Sequence, residues 1–178
     1  EDDILATERG DDPYNHSYLN WANEVYKPTY ITQHTLNLTG GSEVGRYLVS
    51  FDYLDQPGLV KNTEYQRYSY RVNTDLNIGK MLKVSSDVTY RHVDRLWPES
   101  LGSVQYDVWS MQPTSPVRYE NGDYRLDKQN RNAISLMDLD VVGEDRYNMD
   151  VVYGQVKADF EPIKDLVFTG MASLNGSW

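Results

Sequence analysis

The stretch GRYLVSFDYLDQPGLVKNTEYQRYSYRVNTDL, residues 45 to 76, alternates with a period of two through both of its halves. Tyr47, Val49, Phe51 and Tyr53 share one face of the first half, against Arg46, Ser50 and Asp52, with Leu48 the exception. Tyr68, Tyr70, Val72, Thr74 and Leu76 share one face of the second, against Arg67, Ser69, Arg71, Asn73 and Asp75. Successive side chains of a strand point to opposite sides, so such alternation means two strands whose faces meet different surroundings. A soluble sandwich supplies core and water; a membrane barrel supplies lipid and a wet lumen. Two strands leave both open.

Further strand-like segments lie at roughly 31 to 40, 82 to 93, 147 to 160 and 166 to 175. Leu82, Val84, Val88 and Tyr90 oppose Lys83, Ser85, Asp87, Thr89 and Arg91, while Val152, Val156, Ala158 and Phe160 oppose Gln155, Lys157 and Asp159. Within these runs the apolar face is expected to carry no Asp, Glu, Lys or Arg. Short connections at 40–44, 78–81 and 161–165 follow the first, third and fifth strands, and long ones at 56–64 and about 94–146 follow the second and fourth. In an antiparallel meander this puts tight turns at one end and large loops at the other, the outer-membrane arrangement, which Greek-key sandwiches need not show. The chain therefore divides into an acidic lead-in at 1–28, four strands within 29–93, a long loop at 94–146 and two more strands within 147–178. A short helix is expected within SYLNWANEVY, with Leu19, Ala22, Val25 and Tyr26 on one face and Pro28 ending it.

Composition removes several functions. A net charge of -10 and a pI near 4.7, with no basic cluster, exclude a nucleic-acid binder, which needs cations to displace phosphate counterions. Cysteine is absent, so thiolate metal sites, cysteine nucleophiles and disulfides are excluded within this chain. No run of about 18 apolar residues exists to cross a membrane as a helix, a test that a β-barrel evades. Fifteen tyrosines and four tryptophans against three phenylalanines favour rings with a polar handle, as at sheet surfaces, membrane interfaces and sugar sites. His16, His34 and His92 lack metal-ligand spacing, and no P-loop, G-x-G-x-x-G or G-x-S-x-G is present, so neither catalysis nor a cofactor is expected. The chain begins without an initiator Met and is expected to be a mature or excised segment.

Residues 20 to 93 carry a linked series of motifs: Trp21, Glu24 and Tyr26; Thr39, Gly40, Gly41 and Ser42; Tyr47, Val49, Ser50, Tyr53 and Gln56 through Gly58; Arg67, Tyr68, Ser69, Arg71 and Asn73; and Leu82, Lys83 and Val84. This series resembles the early barrel region of SusC/RagA-type TonB-dependent outer-membrane transporters, with Pro57 inside the usual Q-x-G and Thr39 in place of a common serine. SPVRYENGDYR and EPIKDLVFTGMASL extend the likeness over nearly the whole chain. The resemblance implies an all-β antiparallel meander forming part of a barrel of about 22 strands in the outer membrane of a Gram-negative bacterium. It further implies import of glycans, oligosaccharides or peptides, driven by TonB and capped by a SusD-type lipoprotein. The TonB box and plug of that family are not in this sequence, so a fragment is expected. The alternative is a surface-exposed carbohydrate-binding β-sandwich without catalysis.

On the barrel reading, Tyr47, Phe51, Tyr68 and Tyr70 face outer-membrane lipid, and Arg46, Asp52, Arg67, Arg71, Asp75, Lys83, Asp87 and Arg91 line the lumen. These charges either contact substrate and plug or pair across strands as a wet wall. In the long loop, Trp97, Tyr106, Trp109, Tyr119 and Tyr124, beside Asp107, Arg118, Glu120 and Asp123, are the candidate sites for an oligosaccharide or peptide; self-packing or contact with the lipoprotein cap is the competing reading. DLDVVGED, residues 138 to 145, groups Asp138, Asp140, Glu144 and Asp145 around a glycine as calcium ligands would stand, or as a solvated acidic turn would.

Overall fold

The structure, a computed structural model, describes residues 2 to 12 and 14 to 178. It divides into a strand unit (Ile31–Gln56, Tyr65–Arg95, Tyr147–Trp178) and a loop unit, made of the described residues up to Tyr30 with Pro57–Glu64 and Leu96–Arg146.

The strands are β1 (Thr32–Gly41), β2 (Gly45–Asp55), β3 (Glu64–Ile78), β4 (Leu82–Pro98), β5 (Glu144–Ile163) and β6 (Leu166–Ser177). They form one sheet in sequence order, each strand paired with the next. Strand β1 runs antiparallel to β2 with Leu36 opposite Phe51 and Leu38 opposite Val49. Strand β2 runs antiparallel to β3 with Phe51 opposite Tyr70 and Tyr53 opposite Tyr68. The connections alternate as the sequence implied, three short turns at one end and two long connections at the other. Gly79, at φ +65 in the β3–β4 turn, takes a left-handed conformation that a residue without Cβ adopts at little cost.

Strands β4 and β5 run further than alternation suggested, to Pro98 and from Glu144. They include Trp97 and the charged run Glu144, Asp145 and Arg146, where the period-two signal fades. A second correction concerns the apolar face, which does carry charges: Asp55, at the end of β2, and, on β5, Asp150. Its Oδ1 accepts from the Tyr90 hydroxyl at 2.6 Å and pairs with His92 Nδ1 at 2.9 Å, both on β4.

No second sheet exists among the described residues, so the sandwich alternative lacks its other half. The buried apolar cluster is in the loop unit: Trp21, Val25, Val104, Val108, Met111, Ala133 and Met137. The helical elements of this unit are α1 (Asp2–Arg9), α2 (Trp21–Val25), α3 (Leu101–Ser110), a 3-10 turn (Ser135–Met137) and α4 (Leu139–Val142), of which α2, α3 and the 3-10 turn supply residues to the cluster. The helix expected in SYLNWANEVY is only five residues long, capped by the Asn20 side chain, which accepts from the amides of Ala22 and Asn23. Trp21, left off the expected apolar face, is buried along with Val25, and its indole donates to the Gln112 carbonyl at 3.0 Å. Segment 94–146, expected as loop, contains α3 and α4 with a hairpin between them.

Candidate functional site

On the apolar face of the sheet, cross-strand rings meet in two rows. Tyr53 and Tyr68 stand with centroids 4.9 Å apart, flanked by His34 at 6.4 Å and His92 at 6.3 Å. Phe51 and Tyr70 are 5.0 Å apart, with Tyr90 next at 6.1 Å. Such pairs are where a sheet gains much of its stability. Nothing in the strand unit covers them: Tyr70 is 49% exposed, Leu36 69% and Leu174 68%. Apolar area on this scale is rare on a soluble monomer and marks an interface or a lipid boundary.

The opposite face is polar. Asp52 accepts from Arg67 at 2.8 Å, Gln33 at 2.8 Å and Thr35 at 2.8 Å, which ties β1, β2 and β3 together. Arg71 donates to Asp87 at 2.6 Å, and Ser85 to Asp75 at 2.6 Å. Arg46, Lys83 and Arg91 form no ion pair among the described residues, so cross-strand pairing accounts for only part of the ladder. Lys157 and Asp159 add a pair on β5.

In the loop unit, α3 separates its residues by depth. Val104, Asp107 and Val108 are buried, while Tyr106 (70% exposed) and Trp109 (75%) stand out with Gln105. Trp109 forms a wall of two shallow grooves, one with Gly102, Gln105, Tyr106 and Ser110, the other with Asn20, Trp21, Met111 and Pro113 among its neighbours. Asp107, expected beside the rings, points inward instead, and burial pushes its carboxyl above the ordinary carboxylate range.

Tyr124 is also occupied internally. It pairs with Arg118 across a hairpin turned at Gly122; the Arg118 guanidinium carbon lies 3.7 Å from the Tyr124 ring centroid, and the hydroxyl donates to Asp138 at 2.6 Å. Burial first, then that bond, raises the Tyr124 phenol to about 12, and the same bond lowers the Asp138 carboxyl. Asp138 also caps α4 through the Asp140 amide, so two of its expected calcium-ligating lone pairs are engaged. Among the described residues no group of His, Cys, Asp and Glu stands close enough to hold a metal. Tyr119 is 49% exposed, with the Arg125 guanidinium 5.7 Å from its ring. Trp97 is 37% exposed on the end of β4. The five candidate rings thus differ: Tyr106 and Trp109 form one patch, and the others stand apart from it.

No model of a protein family matches the chain. Among curated proteins it is 30% identical over 114 residues to TonB-dependent receptor P26 of Formosa agariphila, covering 64% of this chain and 11% of that protein. It is 32% identical over 92 residues to TonB-dependent receptor P3 of the same organism, covering 48% of this chain and 9% of that protein. Among solved structures it superposes on the RagAB peptide importer in a closed-closed state with a TM-score of 0.72 at 22% identity, covering 92% of this chain and 19% of that one. A second RagAB peptide transporter structure gives a TM-score of 0.71 at 22% identity, covering 98% and 22%. The chain is similar in sequence to TonB-dependent receptors, and its strands have the fold of the barrel wall in the RagAB structures. It spans about a tenth of the curated relatives' length and about a fifth of the solved chains.

Two residues of this barrel segment escaped sequence reasoning. Asn132 is buried and fully engaged: its Nδ2 donates to the carbonyls of Val117 (2.8 Å) and Arg125 (2.9 Å), and its Oδ1 accepts from the amides of Ile134 and Ser135. Asp150, the second, could have been found by extending the even-numbered register of β5 two residues before Val152.

Proposed function

We propose that this chain is wall and extracellular loop of an outer-membrane importer that takes up peptides or oligosaccharides, energised by TonB and working with a SusD-type surface lipoprotein. The observation that carries this reading is the uncovered apolar face, backed by a charged face on the same strands. No bond chemistry is part of it; passage is gated transport through a lumen.

The stagger of the strands supports the barrel. Tyr53, His92 and Trp178 lie in one cross-strand row: Tyr53 is opposite Tyr68, whose ring neighbours His92, and His92 pairs with Asp150, which exchanges backbone bonds with Trp178. Counted from the short turns, Tyr53 is eight residues beyond Gly45, His92 ten beyond Leu82 and Trp178 twelve beyond Leu166. With the short turns level, one residue of stagger per strand, at ~3.4 Å rise and ~4.8 Å spacing, leans the strands by about 35°, the tilt of a membrane barrel. Tyr53 then stands roughly 22 Å above the turns, near the edge of an apolar band ~25 Å tall, where aromatic girdles sit. Asp150, thirteen residues from Ile163, stands about 36 Å up, beyond the hydrocarbon, which is how its carboxylate is tolerated on that face.

In the loop, Trp109 and Tyr106 are the candidate rings best placed for a ligand, being exposed together with Gln105 as an adjacent hydrogen-bonding group. The import function is supported by the likeness to a peptide importer and to TonB-dependent receptors. Cells carrying the full-length protein with both Trp109 and Tyr106 changed to alanine should insert it normally and lose most uptake of labelled peptides or oligosaccharides. Unchanged uptake of both, with the lipoprotein complex intact, would remove these rings from the mechanism. Unchanged uptake after deletion of the whole gene would remove import itself.

A further inference from the structure

The polar face of the sheet carries more positive charge at its centre than its own ion pairs consume. Register places Arg71 opposite Ser50 and Ser69 opposite Asp52. A depression of about 480 Å³ on this face is lined by these residues with Arg67, Asp87, Thr89, Arg91 and the Tyr153 ring. Arg67 is committed to Asp52 and Arg71 to Asp87, which fixes two guanidiniums and neutralises both carboxylates. Arg91, exposed at the same depression, pairs with no carboxylate among the described residues, and Arg67 Nε is enclosed without an acceptor. Three guanidiniums therefore meet two carboxylates, in a chain whose net charge is -10. The remaining groups at the depression include the hydroxyls of Ser69 and Thr89, which can donate to an anion.

We propose that this depression binds an oxyanion, a carboxylate or sulfate carried by the ligand moving past the wall. Arg91 is the docking charge, Ser69 and Thr89 are flanking donors, and Tyr153 is an apolar side wall. A guanidinium presents a planar fork of donors that matches the two oxygens of such a group, and a pair of this kind is both stronger and more directional than a lysine contact. Holding Arg67 and Arg71 by their aspartates keeps the rim open and prearranged, so less ordering is needed when the anion arrives. The inference rests on reading the charged face as the lumen.

The test titrates inorganic sulfate into the full-length protein in detergent micelles by calorimetry, at constant ionic strength with chloride as the balancing ion. Wild type should bind sulfate, and Arg91→Gln should weaken it roughly tenfold or more, the loss expected for one charge-assisted contact. Arg91→Lys should weaken it about threefold, since it keeps the charge and loses the fork, and it serves if Arg91→Gln fails to fold. Lys80→Gln, in the short β3–β4 turn, should leave affinity unchanged. Equal affinity in wild type and both Arg91 variants, an adventitious ion only, would overturn the proposal. So would an absence of sulfate binding in wild type. The face assignment is scored separately with Asn73→Cys. If a membrane-impermeant maleimide cannot reach the introduced thiol, the lumen reading fails. If that thiol is labelled while sulfate affinity ignores Arg91, only the anion site fails.

Discussion

Gly40 lies directly opposite Tyr47, and the Tyr47 ring covers the place where a β carbon at 40 would stand, within 2.5 Å of its hydroxyl and 2.7 Å of its Cζ. The ring lies across the first hairpin against bare backbone, which sets the β1–β2 register and closes the space above the turn. A one-residue slip would set Thr39 or Gly41 beneath the ring and turn the Leu36 and Leu38 side of β1 to the wet face.

Gly40→Val should therefore displace Tyr47 and destabilise the first hairpin by about 1–3 kcal/mol, the usual cost of overfilling a packed position. The measurement is folding in detergent micelles followed by the shift in gel mobility between unheated and heated samples. The valine variant should show a smaller folded fraction, and Tyr47→Ala should restore part of it by making room. A folded fraction equal to wild type would show that the ring does not depend on the glycine.

The loop unit should depend on Asn132. Asn132→Ala takes a bond from two carbonyls and two amides, of which the Val117 carbonyl keeps the Arg125 amide, at roughly 3 kcal/mol for buried groups of this kind. Limited proteolysis of the inserted protein should cut the 118–125 hairpin faster, while the gel-mobility test of the strands stays unchanged. Wild-type proteolysis rates would mean that water replaces the amide.

The inward carboxyl of Asp107 should make the loop unit pH-dependent. Its pKa is raised on folding, by burial first, against an opposing pull from Arg131. The folded state thus favours the protonated form: the associated stability is present below the ordinary carboxylate pKa and is lost as pH rises through the folded value. At neutral pH the charged form costs stability, so Asp107→Asn should slow hydrogen exchange in α3 at pH 7–8, and the difference should shrink towards pH 4. A difference that is independent of pH would contradict this.

The sheet was legible in the sequence because its signal is local. Tyr47 to Tyr53 and Tyr68 to Leu76 alternate within single strands, and Gly and Pro mark the short turns. Asp150 was missed because its meaning lies in Tyr90 and His92, on a strand some sixty residues earlier. Helix α3 was missed because Gly102, Ser103 and Asp107 interrupt its apolar stripe, and only packing against Trp21 and Met137 brings Val104 and Val108 inside. Asn132 is silent for a related reason: in a polar loop an asparagine looks like a turn residue until its four partners converge. Among the candidate rings, residue type alone pointed to aromatics, and only the structure distinguishes the Tyr106–Trp109 patch from Tyr124, held under Arg118.

Which side of the sheet meets lipid is the central question for a barrel wall. Single spin labels placed in turn at positions 68 to 73 of the full-length protein in bilayers, with relaxation by oxygen and by a water-soluble nickel complex, measure this directly. Positions 68, 70 and 72 should favour oxygen and positions 69, 71 and 73 the nickel complex, alternating residue by residue along β3. A uniform response along the strand, or alternation of the opposite phase, would contradict the barrel wall.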